Sequence, residues 1–245
     1  KKVKKKKLLV KTINKKTGKR ISALIVVHVF GNAVELDKLV TLCKKKNIMI
    51  IEDAAESLGS FYKTGKFKGK HTGTIGKVGC LSFNGNKIIT TGGGGMILTN
   101  FHNIANKAKY LTTQAKDNSI YSIHNDIGYN FRLTNIQAAF GIAQLESISS
   151  FLKKKKIIHK RYKSKINNIK GLRLSTVPNF TNSNYWLNIL EINKKISKEK
   201  FSKIINYLMK NNIQVRPLWR PNHLQMKYTK FQRYRLNNVN KIYKN

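Results

Sequence analysis

Residues Val78–Thr99 read VGCLSFNGNKIITTGGGGMILT. The stretch opens as an apolar, strand-like run (Val78, Cys80, Leu81, Phe83) and breaks into a polar turn at Asn84-Gly85-Asn86. One lysine, Lys87, follows the turn. Ile88 and Ile89 lead into Thr90, Thr91 and the glycines Gly92–Gly95, before a second apolar run at Met96-Ile97-Leu98. A lysine at the mouth of a buried strand, with a hydroxyl just upstream at Ser82, suits one chemistry well. The amine can hold an aldehyde cofactor as a Schiff base, and the hydroxyl can bind that cofactor's phosphate. In a chain with 49 Lys+Arg, the same lysine also reads as a solvated side chain in a glycine-rich hairpin.

A second stretch upstream, IMIIEDAAESLGS at Ile48–Ser60, strengthens the first reading. Ile48–Ile51 is a short continuous apolar run, the pattern of a buried parallel strand. Asp53 stands just past its carboxyl end, where ligands sit in open α/β sheets. A carboxylate there can pair with a protonated pyridine nitrogen and keep the ring an electron sink. Taken singly, Asp53 reads as a cap on the Ala54-Ala55-Glu56 turn.

Together and in this order, the two stretches resemble the DegT/DnrJ/StrS-type sugar-nucleotide aminotransferases, pyridoxal-phosphate enzymes of the aspartate aminotransferase fold. The matching residues are His28-Val29-Phe30-Gly31, Glu52-Asp53-Ala54-Ala55-Glu56, Ser82-Phe83 with Lys87, and Gly94-Gly95. A further match is GYNFRLTNIQAAFGIAQLE at Gly128–Glu146. The form SFNGNKIITTGGGGM is similar to the LegC-like branch, which aminates UDP-linked 4-keto-6-deoxy-N-acetylhexosamines. The resemblance runs from about Ser22 to Gln225.

The resemblance implies a role for each matching residue. Lys87 would hold pyridoxal 5′-phosphate covalently and, once displaced by the amino donor, shuttle a proton between Cα and C4′. Asp53 would pair with the pyridine nitrogen, Glu56 would lie against the ring face, and Ser82 would bind the phosphate. Asn130 would reach the cofactor phosphate of a neighbouring subunit, which makes a homodimer with shared sites part of the mechanism. Arg132 belongs near that site or in an inter-subunit salt bridge. His28, at a strand end, is a candidate substrate ligand or a satisfied structural histidine. Trp219, Arg220 and His223, in RPLWRPNHLQ, resemble a segment lining the substrate pocket. No metal site is implied.

The implied activity is amino transfer, with glutamate as donor, onto C4 of a nucleotide-linked 4-keto-6-deoxy sugar, for surface polysaccharide or nonulosonic acid synthesis. Some relatives carry histidine at the Schiff-base position and dehydrate the sugar instead, so Lys87 argues for amino transfer. Family members are longer. Their first third carries a turn at a helix start whose backbone amides cradle the phosphate. The expectation is therefore a fragment lacking the N-terminal part and the extreme C-terminus, which alone binds the cofactor weakly or not at all.

Composition supplies the rival reading. The chain has 49 Lys+Arg against 10 Asp+Glu, a net charge of +39, which ordinarily points to nucleic acid or an anionic membrane surface. The lysines are dispersed, with short clusters at Lys1–Lys7, Lys44–Lys46 and Lys153–Lys156, and no zinc-finger or RNA-binding aromatic motif accompanies them. A basic nucleic-acid-binding protein is the alternative, and an inactive remnant of the aminotransferase is a third. Cys43 and Cys80 fall in apolar patterns and read as buried thiols in a reducing compartment. No apolar run approaches membrane-spanning length, and KKVKKKKLLV has too short an apolar segment for a secretory signal. The cytoplasm is expected.

At 245 residues the chain can bury a sizeable core. Ala23–Val29 is a β-branched run that predicts a buried strand. Ala33–Lys46 has helical spacing, and Ile48–Ile51 completes a βαβ unit with a parallel sheet. Phe61–Lys77 reads as a loop, Val78–Phe83 and Met96–Thr99 as strands, and Ile104–Leu111 as a helix. Thr134 to about Ile166 reads as one long helix capped by Thr134. Beyond Gly171, Tyr185–Ile192 and Ile213–Leu218 read as strands around a helix at Lys198–Lys210. The predicted architecture is α/β: an aspartate-aminotransferase-like (fold type I) large domain with a mostly parallel sheet over 1–150. A connector and a small C-terminal α+β lobe occupy 151–245.

Overall fold

The structure, a computed structural model, describes residues 11–118, 120–193 and 196–244; the cluster Lys1–Lys7 lies outside them. Strands β1 (Ala23–Val27) and β2 (Met49–Asp53) run parallel, Ala23 opposite Met49 and Val27 opposite Asp53. Helix α1 (Asp37–Lys46) connects them. Asp37 lies in its first turn and Lys44, Lys45 and Lys46 in its last, the charge order that suits the helix dipole. Asn47 ends it in the left-handed region (φ 53°), its N–H donating to the carbonyls of Cys43 and Lys44. After the short β3 (Phe61–Tyr62), β4 (Val78–Ser82) pairs parallel with β2, and β5 (Gly95–Leu98) pairs antiparallel with β4. The sheet order is β1-β2-β4-β5, mostly parallel as predicted.

The core lies on one face of this sheet. Val26 and Ile50 from the strands meet Leu36 and Cys43 from α1 and its entry, with Ala33 and Tyr62 closing the cluster. Each such aliphatic side chain, once buried, stabilises the fold by about 1.5–3 kcal/mol. The prediction that the Ala23–Val29 run is buried throughout needs correction: Ile25 is 64% exposed and Val27 42%. Side chains alternate across a strand, and α1 covers only the face that Leu24 and Val26 share.

The remaining elements are shorter. Helix α2 (His102–Thr112) precedes a small antiparallel pair, β6 (Lys116–Asn118) and β7 (Ile123–His124). The expected long helix is two helices, α3 (Asn135–Glu146) and α4 (Ile148–Ile166). Thr134 caps α3 as expected: its Oγ1 accepts from the Gln137 N–H, and the Gln137 side chain accepts from the Thr134 N–H. The interruption falls at Ser147, whose N–H reaches back 3.2 Å to the Gln144 carbonyl. Serine, which stands at 147, 149 and 150, favours helix ends over helix interiors.

The chain divides into two compact units. The first runs as far as Lys160 and takes back Thr176–Asn188; the second comprises Arg161–Ser175 and the chain from Ile189 onward. In the second, β8 (Leu172–Leu174) pairs antiparallel with β10 (Leu190–Ile192), whereas β9 (Thr181–Asn182), between them in sequence, pairs with β3 in the first. The second unit also holds α5 (Lys198–Lys210), capped by Ser197, and α6 (Asn237–Lys244). Two predicted strands are corrected. Only Leu190–Ile192 of the 185–192 run is strand, because Tyr185 takes a left-handed backbone (φ 53°). Ile213–Leu218 is not a strand: Asn212 before it is left-handed (φ 59°), and Pro217 within it has no N–H to donate. No helix among the described residues is long and apolar enough to cross a membrane.

Candidate active site

The carboxyl end of β2 is anchored by a buried carboxylate. Ile50 and Glu52 point to the same face, so Glu52 goes inward with the apolar residue and is fully buried. It is held by His28 Nε2 at 2.9 Å and by the N–H groups of Gly73 (2.8 Å), Ile75 (2.6 Å) and Gly76. Burial alone would raise its pKa, but the hydrogen bonds from His28, Gly76 and Gly73 outweigh it and hold the carboxyl below its ordinary range. His28 Nδ1 accepts from the Val34 N–H at 3.0 Å, so the ring proton sits on Nε2 and faces Glu52. The His28 N–H also donates to the Asp53 carbonyl at 3.0 Å. With no exposed surface and both ring nitrogens engaged, His28 takes the structural role rather than that of a substrate ligand. It ties the end of β1 to the end of β2.

Asp53 emerges beside this anchor, opposite Cys80 on β4. Its Oδ1 accepts from the Ala55 N–H at 3.1 Å, the turn-capping contact; among the described residues Oδ2 has no hydrogen bond. Glu56 follows in the same turn, its Oε2 accepting from the Phe30 N–H at 2.7 Å. Burial pushes the Glu56 carboxyl upward against the pull of the Phe30 N–H and of Lys87, and the Asp53 charge adds to the push. Lys87 and Asp53 both act on Glu56, so the three charges gather at one end of the sheet. Ser82 ends β4, where its Oγ accepts a long (3.4 Å) bond from the Asn84 N–H.

Lys87 follows the turn at Asn84, its N–H donating to the Asn84 carbonyl at 3.0 Å. Its Nζ has no hydrogen-bond partner among the described residues. It lies 4.3 Å from the centroid of the Trp186 ring, and the Trp186 Nε1–H donates to the Asn86 carbonyl at 2.7 Å.

The structure places the other predicted residues as follows. Asn130 and Arg132 line an open cavity of about 500 Å³ with Thr113, Gln114, Lys116 and Asp117; Asp53, Glu56, Ser82 and Lys87 do not line it. Trp219, Arg220 and His223 belong to the second unit, where His223 Nε2 lies 2.9 Å from Asn240 Oδ1. Three residues at the site were given no role from the sequence: Glu52, quoted only as part of the family match, Asn184 and Trp186. Strand parity with Ile50 is the signal that could have found Glu52, since a buried carboxylate requires donors. No local signal ties Trp186 to a lysine so far upstream.

Comparison with known proteins settles the family. The profile of the DegT/DnrJ/EryC1/StrS aminotransferase family matches residues 3–245. The chain belongs to this family. Among relatives of this DegT/DnrJ/EryC1/StrS protein, EpsN of Bacillus subtilis, named as a pyridoxal phosphate-dependent aminotransferase, is 41% identical over 211 residues, 86% of this chain and 52% of EpsN. The GDP-perosamine synthase of Escherichia coli O157:H7 is 34% identical over 226 residues, 92% of this chain and 59% of the synthase. Helicobacter pylori PseC, an aminotransferase involved in the biosynthesis of pseudoaminic acid, superposes with a TM-score of 0.77 at 24% identity, covering 91% of this chain and 59% of PseC. The chain therefore spans little more than half the length of these relatives, and its fold is that of the solved family aminotransferases.

The donor set of this family member suits pyridoxal phosphate chemically. Asp53 offers an uncommitted carboxylate oxygen to a protonated ring nitrogen, Lys87 an amine to an aldehyde, and Ser82 a hydroxyl proton to a phosphate. Among the described residues no group of three or more His, Cys, Asp or Glu side chains is arranged to hold a metal.

Proposed function

We propose that this chain carries the lysine and the ring-binding residues of a pyridoxal 5′-phosphate-dependent sugar-nucleotide aminotransferase. The single observation that supports it best is the gathering of Lys87, Asp53 and Glu56 at one end of the sheet, with no hydrogen bond to the lysine Nζ among the described residues. When bound, the cofactor supplies an electron sink for the negative charge that develops at the carbon carrying the transferred nitrogen. Lys87 is the covalent anchor and the group that takes up and returns the proton. Asp53 keeps the proton on the ring nitrogen by ion pairing, Glu56 flanks the ring, and Ser82 donates to the phosphate.

The amino donor in this reading is glutamate, and the acceptor is C4 of a nucleotide-linked 4-keto-6-deoxy sugar destined for surface polysaccharide or nonulosonic acid. The names of the GDP-perosamine synthase and PseC relatives support a sugar acceptor, and SFNGNKIITTGGGGM narrows it toward the LegC-like branch. Arg132, Trp219, Arg220 and His223 are the residues proposed to meet substrate. Asn130 is proposed to reach the phosphate site of a second copy, so the working enzyme is a homodimer with shared sites. The cytoplasm, where free nucleotide sugars and glutamate coexist, is the compartment of this reading.

The test is chemical trapping. The purified chain is titrated with pyridoxal phosphate into large excess, to offset the weak binding expected of a chain that spans little more than half the length of its relatives. It is then reduced with borohydride, and the most readily modified peptide is mapped by mass spectrometry. The pyridoxyl group should sit on Lys87 and be lost in Lys87→Ala. Equal modification of many lysines, or an unchanged yield in Lys87→Ala, overturns the assignment.

A further inference from the structure

We propose that Trp186 is a positioning residue for Lys87: its indole face seats the lysine ammonium, and its indole N–H pins the turn that carries the lysine. The inference rests on the role proposed above for Lys87. Its basis is how thoroughly Trp186 is fixed. The residue is 4% exposed. Its N–H donates to Asn184 Oδ1 at 2.9 Å, its carbonyl accepts from Lys155 Nζ at 3.1 Å, and its Nε1–H reaches Asn86 O at 2.7 Å. Asn184, itself 1% exposed, is anchored in turn: its Nδ2 donates to the carbonyls of Glu56 (2.8 Å) and Leu58 (2.9 Å), and its N–H to Ser60 Oγ (3.0 Å). Between them, Tyr185 holds a left-handed backbone (φ 53°) that a bulky residue adopts only when its surroundings enforce it. Strain at that position turns the chain so that the ring meets Lys87.

A seat of this kind has a chemical use. When Lys87 accepts a proton it becomes an ammonium, and an aromatic face within about 6 Å attracts that cation. The ring thus gives the ammonium a fixed seat and confines a four-carbon side chain that would otherwise sample many rotamers. The Nε1–H bond to Asn86, the residue immediately before Lys87, fixes the backbone from which that side chain starts.

The test needs no pyridoxal phosphate, so its failure is distinct from failure of cofactor trapping at Lys87. The full chain is treated with formaldehyde and cyanoborohydride at neutral pH, and methylation of Lys87 is followed by peptide mass spectrometry relative to Lys44–Lys46. Lys87 Nζ must leave the ring face before it can meet an aldehyde. Removing the ring with Trp186→Leu should therefore speed Lys87 labelling about 2- to 30-fold, the range corresponding to a cation–π contact. Trp186→Phe, which keeps a ring face but loses the N–H, should rise less. Labelling of Lys87 at the wild-type rate in Trp186→Leu overturns the proposal, as does an equal rise in both variants. A second measurement decides the matter should Trp186→Leu fail to fold. The chain has two tryptophans, so Trp219→Phe leaves Trp186 as the sole indole emitter. In that background Lys87→Met should change the emission and Lys87→Arg should restore it; identical emission in Lys87→Met and its parent refutes the contact.

Discussion

Glu52 and Asp53 are adjacent on β2, point to opposite faces, and differ in what their carboxylates can still do. Glu52 is saturated by His28 and three backbone N–H groups, whereas Asp53 Oδ2 has no hydrogen bond among the described residues. Under the proposed function Asp53→Asn removes the charge that holds the ring proton. Amino transfer should fall by about 10²-fold or more, with thermal stability little changed; transfer within a few-fold of wild type would remove Asp53 from the ring. Glu52 makes the opposite kind of prediction. Its folded pKa is depressed, so the stability it contributes is fully present above its ordinary value of 4.5 and is lost as pH falls from there through the folded value. Melting temperatures of wild type and Glu52→Gln measured against pH should differ most near neutrality and converge on the acid side of 4.5. A constant gap would place the effect in packing instead.

At the scale of elements, the sequence was readable wherever local chemistry and tertiary surroundings agreed. The apolar runs at Ala23–Val29 and Ile48–Ile51, the spacing of Leu36, Leu39, Val40 and Cys43, and the cap at Thr134 gave β1, β2, α1 and the start of α3, with the strand ends shifted by one or two residues. Lys87, Asp53 and Glu56 were picked out together by the family resemblance of their two stretches; strand prediction alone suggested ligand roles only for Asp53 and Lys87, each with a plainer reading beside it. One misreading has a cause far away in the sequence. Tyr185-Trp186-Leu187 has good strand composition, yet Asn184 hydrogen-bonds back to Glu56 and Leu58 and diverts it. No propensity within 185–192 encodes a contact with residues so far upstream. The same long-range contact dictates Gly31. It has φ +85°, and a Cβ there would lie 1.8 Å from Asn184 Oδ1. Gly31→Ala should therefore destabilise the chain by more than about 1 kcal/mol in denaturant titration. It should also move the Trp186 emission, by displacing the side chain on which Trp186 hangs. Wild-type stability and emission in Gly31→Ala would show that the segment can shift aside at little cost.

For the whole molecule, the net charge of +39 sets a second test. If the charge is compositional, binding to unrelated duplex DNA should stay in the non-specific range, weaker than about 10⁻⁶ M at physiological salt, and fade steeply as salt rises. Affinity near 10⁻⁸ M that discriminates between DNA sequences would instead support the nucleic-acid reading. The pairing of β3 with β9, and of Asn86 with Trp186 across 100 positions, bears on how the molecule comes into being. A ribosome adding about 5–20 residues per second delivers the lysine some 5–20 s before the indole that seats it. Until then the nascent polypeptide carries Lys87 without the ring that faces it, and β3 without its β9 partner. That interval is when a chaperone, or a stray aldehyde metabolite, would find the growing chain most open to capture.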